Sequence, residues 1–130
     1  MYALPDDFDF LLLSGCYLEV VSFGVATTNL DFARPQTVPG IPPYKVSFCI
    51  EGRLSYKVDG VLGCREFSDS YTSAPLLDLL LQDVVSVKAF EGATLEIAFS
   101  SGDLIVLEAD GESGYEAYSI YLDSGDVIVI

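Results

Sequence analysis

From Val84 to Ile130 the chain repeats one device: a short run rich in apolar residues, then a polar turn containing glycine. VVSVKAF is followed by Glu91-Gly92, ATLEIAF by Ser101-Gly102, DLIVLEA by Glu112-Ser113-Gly114, YEAYSIYL by Ser124-Gly125, and VIVI comes last. A period of two sends alternate side chains to opposite faces of a sheet, so Leu95, Ile97 and Phe99 line one face and Thr94, Glu96 and Ala98 the other. Gaps this short cannot hold the crossover helix that parallel pairing demands, and antiparallel pairing follows.

The same alternation is present upstream. Leu30 and Phe32 flank Asp31, and Val46, Phe48 and Ile50 alternate with Ser47, Cys49 and Glu51. Asp59-Gly60 is a tight-turn signal between LSYKV and a returning strand within Val61 to Phe67. Four prolines between Pro35 and Pro43 mark a loop. One helix is predicted: Thr72 or Ser73 is its cap, Pro75 fits its first turn, and LLDLLLQ supplies an apolar face. So short a helix needs a sheet to pack against. With 130 residues, 51% of them hydrophobic, the chain has material for one core. The predicted fold class is α+β, a mostly antiparallel twisted sheet packed against one short helix. Residues 1–130 form a single domain, and a partly open barrel is the alternative closure.

Charge narrows the partners. Twenty acids against six bases give a net charge of -14, and all six bases lie at or before Lys88. From Ala89 onward there are nine acids and no base. Such a field repels phosphate and disfavours direct nucleic-acid binding, while it attracts a basic protein surface. MYALPDDFDFLLLSG has no basic region before its apolar run, and no apolar stretch is long enough to span a membrane. The expectation is a cytoplasmic protein with no membrane partner.

Chemistry is harder to find. Histidine is absent, which removes Ser-His-acid and Cys-His catalysis and histidine-ligated zinc. Cys16, Cys49 and Cys64 are widely spaced, without a CxxC pair, and read as partly buried thiols. Asp110-Gly-Glu112 and Asp123-Ser-Gly-Asp126 lack the alternating oxygen ligands and terminal glutamate of a calcium loop, and read as turns. Asp6, Asp7 and Asp9 read as a solvated end. No glycine pattern matches a phosphate cradle. The expectation is a protein that is not an enzyme and needs no cofactor or metal.

In GYEAYSIYL, a core-facing Tyr118 leaves Ala117, Ser119 and Tyr121 facing away, with Glu116 at the sheet margin. Asp110, Glu112, Tyr115, Glu116, Tyr121 and Asp123 are therefore the candidate partner-binding residues. Together they would make an acidic patch with tyrosine anchors.

The series FSSGDLIVLEA, GYEAYSIYL and SGDVIVI, preceded by a short helix and the ATLEIAF strand, resembles small bacterial immunity-type domains of polymorphic or contact-dependent toxin systems. The resemblance covers roughly residues 75–130. Members of that group often carry Trp where this chain has Tyr118, and the Pro35–Pro43 loop lies outside the matched part. The resemblance implies binding and neutralisation of a basic cognate toxin, commonly a nuclease. Two other classes compete with it: a structural domain that forms a homodimer through an exposed sheet edge, and a hydrolase whose carboxylates hold a metal.

Overall fold

In the computed structural model, residues 3–109 and 116–130 are described. Among the described residues ten strands form two five-stranded sheets, and every pair is antiparallel. The first sheet contains β1 (Tyr17–Phe23), β2 (Thr28–Ala33), β3 (Lys45–Ile50), β9 (Tyr118–Tyr121) and β10 (Val127–Val129), in that spatial order. The second runs β5 (Val61–Cys64), β4 (Leu54–Val58), β8 (Leu104–Leu107), β7 (Thr94–Phe99) and β6 (Val84–Phe90). Mostly antiparallel strands packed against one short helix are thus the architecture, with the strands divided between two sheets.

Alternation in the sequence becomes burial. Leu30 and Phe32 of β2, Val46, Phe48 and Ile50 of β3, and Leu95, Ile97 and Phe99 of β7 all point into one core shared by both sheets. Each such side chain contributes about 1.5–3 kcal/mol when fully buried. The rings of Phe32 and Phe48 meet edge-on with centroids 5.7 Å apart, and Tyr118 lies 6.5 Å beyond Phe48. The Tyr118 hydroxyl crosses the core to donate to the Ala93 carbonyl in the turn between β6 and β7. Asp59 and Gly60 both take positive φ in the two-residue turn joining β4 to β5, as the strand twist requires.

The sheets are joined along one side. Asp83 bridges to Tyr17, Val84 N–H donates to the Cys16 carbonyl at 2.9 Å, and Leu81 N–H donates to the Leu18 carbonyl at 2.8 Å. These bonds stitch the approach to β6 onto the start of β1. At the corner between β3 and β4, Glu51 and Gly52 N–H groups both donate to the Ala117 carbonyl, at 3.0 and 2.8 Å. A Cβ on Gly52 would stand 3.2 Å from that carbonyl oxygen, a tight contact that glycine avoids.

The helix spans Ala74–Leu79, with Pro75 in its first turn, and winds as a 3-10 helix. Three residues per turn place Leu76 and Leu79 on one buried face, while Leu77 and Asp78 stay exposed. It packs against β4 and β1. Ser73 precedes it without a side-chain capping bond, because its hydroxyl oxygen accepts from Arg65 Nε at 2.9 Å. The Thr72 hydroxyl is likewise turned toward Glu66 and Asp69, and Asp69 caps the preceding 3-10 turn, Ser70–Thr72.

Candidate functional site

Three of the six predicted partner-binding residues, Glu116, Tyr121 and Asp123, lie in the described part of the chain. Asp110, Glu112 and Tyr115 lie outside the described residues. Glu116 is exposed just before the buried Ala117 and Tyr118. Tyr121 is half-exposed on the outer face of its sheet, paired across the strands with Ser47 and Val127. Asp123 lies beyond it in the turn between β9 and β10, where its Oδ1 accepts from the Lys45 N–H at 3.1 Å. Asp123 also lines a concavity.

That concavity, of about 510 Å³, is a groove between the N-terminal segment and the turn from β9 to β10. Phe8, Leu12, Tyr44, Leu122 and Ile128 give it apolar walls, and Asp7, Asp9, Asp123 and Asp126 supply its carboxylates; among the described residues no base lines it. Local bonds shape both sides. Asp9 Oδ1 accepts from Leu11 N–H at 2.9 Å, Phe8 N–H closes a turn onto the Pro5 carbonyl, and Leu12 is buried. Across the groove, the Ser124 hydroxyl donates to Asp126 Oδ2 at 3.1 Å, and Leu122 N–H bonds the Asp126 carbonyl. In the sequence Asp7 and Asp9 read as part of a solvated end, and Asp123 and Asp126 as the ends of a turn, with Asp123 a partner-binding candidate; long-range folding brings all four to one groove.

Tyr44 ties this site to the core. Its hydroxyl donates to the Leu12 carbonyl at 2.9 Å, and the Arg34 guanidinium lies 3.7 Å above its ring. Burial pushes the Tyr44 phenol upward against the opposing pull of Arg34, with Asp123 adding to the rise. The phenol therefore remains a neutral donor, already engaged. Cys16 is fully buried and burial also raises its thiol, again opposed by Arg34. A thiol so placed is a poor nucleophile. Cys49 and Cys64 are half-buried and free.

A broader hollow of about 810 Å³ lies by Phe90, Glu91, Thr94 and Val106, but there Arg53 pairs with Glu108 at 2.8 Å, so part of its charge is neutralised internally. Among the described residues no group of three or more His, Cys, Asp or Glu side chains is placed to hold a metal ion. No described helix is long and apolar enough to cross a membrane. No protein-family model, curated protein or solved structure matches this chain.

Proposed function

We propose that this chain is a non-catalytic binding domain that captures a basic protein and neutralises it by covering its cationic surface, the partner being a cognate toxin such as a nuclease. The observation that carries this reading is where the cations sit. Arg65 is buried among carbonyls, hydroxyls and two phenyl rings, and Arg34 is stacked on Tyr44. The ion pairs among the described residues are Lys45–Glu19 at 3.4 Å and Arg53–Glu108 at 2.8 Å. Most carboxylates among the described residues take part in no ion pair, and with a net charge of -14 the field favours a basic partner.

Calorimetric titration against the product of the neighbouring gene tests the reading. The expected result is a complex at micromolar concentration whose affinity falls as salt is added. Absence of a complex at low salt overturns it. Self-assembly is the competing reading, favoured by the exposure of Val61 and Leu62 on edge strand β5. A mass that stays monomeric over a wide concentration range removes that alternative.

A further inference from the structure

We infer that the groove between the N-terminal segment and the turn from β9 to β10 is the docking site for a basic segment of the partner, and that it takes a lysine or arginine side chain lengthwise. This rests on the proposed capture of a basic protein and adds where and how the contact is made.

The walls and the carboxylates ask for different halves of the same side chain. Phe8, Leu122 and Ile128 offer apolar surface that an alkyl stem can cover. Tyr44 adds a ring whose hydroxyl is already donated to Leu12 and whose upper face is taken by Arg34, so it offers packing without a free donor. Ionised carboxylates only accept hydrogen bonds. A guest with a head made only of donors, ammonium or guanidinium, complements them, whereas an anionic head is repelled. Asp7 and Asp126 are exposed, and neither takes part in an ion pair among the described residues. The groove volume of about 510 Å³ has room for such a side chain together with part of its backbone.

The test uses the full chain, labelled with ¹⁵N, and a tetra-arginine peptide at low salt. A tetra-citrulline peptide, nearly the same shape without charge, is the control. The expected result is resonance shifts concentrated at Phe8, Leu12, Tyr44 and the turn from Leu122 to Asp126, with no comparable shifts from citrulline. Asp7→Asn with Asp126→Asn should weaken the arginine peptide about tenfold. Glu66→Gln with Glu91→Gln removes the same charge outside the groove and should weaken it far less. Shifts elsewhere, equal loss in both double variants, or equal citrulline binding overturns the groove assignment while leaving capture of a basic partner standing. No binding of tetra-arginine by the unaltered protein at low salt, together with no complex with the neighbouring gene product, removes both.

Discussion

Arg65 Nη1 donates to Thr28 Oγ1 at 2.6 Å, and both residues are buried. The same nitrogen donates to the Thr27 carbonyl at 2.8 Å, Nη2 donates to the Gly24 carbonyl at 3.2 Å, and Nε donates to Ser73 Oγ. Phe23 and Phe67 stand 4.9 and 4.7 Å from the guanidinium carbon. One side chain thus ties the hairpin of β1 and β2 to the start of the short helix, with neutral acceptors and ring faces in place of a carboxylate. Arg65→Met strips these acceptors of their donors and should cost about 2–4 kcal/mol. Arg65→Lys should recover little, since an ammonium cannot span the fork of acceptors. Urea unfolding, compared at constant slope, checks both.

Gly63 lies against the Tyr56 ring. A Cβ there would meet Tyr56 Cε1 at 2.6 Å and Cζ at 2.7 Å, while the Tyr56 hydroxyl is held by the Thr72 carbonyl at 2.7 Å. The ring cannot yield without stretching that bond, so Gly63→Ala should destabilise by about 1–3 kcal/mol. In a Tyr56→Leu background the obstacle is smaller, and Gly63→Ala should cost markedly less. Equal costs in the two backgrounds, measured by a double-mutant cycle, would refute the proposed clash.

Tyr118 makes the alkaline limb of stability predictable. Burial raises its phenol well above the usual value, and burial raises Tyr44 and Tyr56 too. A phenol raised on folding contributes its full stability below its unfolded value near pH 10 and loses it as pH climbs toward the folded value. The thiols of Cys16 and Cys49, also raised by burial, begin the same loss near pH 9. Tyr118→Phe should therefore lower stability at neutral pH by about 1 kcal/mol, through the unpaired Ala93 carbonyl. It should also make the decline above pH 10 shallower. Circular dichroism in urea across the alkaline range reads both effects.

The sequence discloses what local periodicity can write and misses what distant segments decide. Leu95, Ile97 and Phe99 in β7, and Val46, Phe48 and Ile50 in β3, are legible because a strand buried on one face must alternate. Asp59-Gly60 is legible because few residues accept the positive φ of its turn. The division into two sheets is not written this way: β8 pairs with β4 and β9 with β3, a choice made by residues far apart in the chain. Nothing beside Arg65 in the sequence marks it as buried, because the carbonyls that receive its guanidinium belong to Gly24 and Thr27 of the first hairpin. The groove is hidden for the same reason, since Asp7 and Asp126 become neighbours of one concavity only after β9 and β10 have docked. The tyrosine signal at 118 did mark a core position, and Glu116 does sit outside it.

Asp103 sets the acid limit of the same stability profile. Its Oδ1 accepts from the Asp59 N–H at 2.9 Å and its Oδ2 from the Gln82 amide at 3.1 Å, clasping the turn of β4 and β5 to that of β7 and β8. The bond from the Asp59 N–H, followed by that from Gln82, lowers its carboxyl below the ordinary value of 3.8. A carboxyl lowered on folding stabilises above its unfolded value, and that contribution is lost as pH falls through the folded value. Self-repulsion acts in the opposite direction: a net charge of -14 strains the folded state at neutral pH and is relieved as other carboxylates are protonated. Stability should consequently rise from neutral pH into the mildly acidic range, then fall below about pH 4 as the clasp is lost. Asp103→Asn should flatten that final fall while leaving the rise in place. Added sodium chloride should raise the melting temperature at neutral pH and do little near the isoelectric point of about 4.1, where there is scant net charge to screen. Thermal melts of both proteins across pH and salt, at low concentration, separate the two effects: an equally steep acid fall in Asp103→Asn would show that the clasp is not its cause.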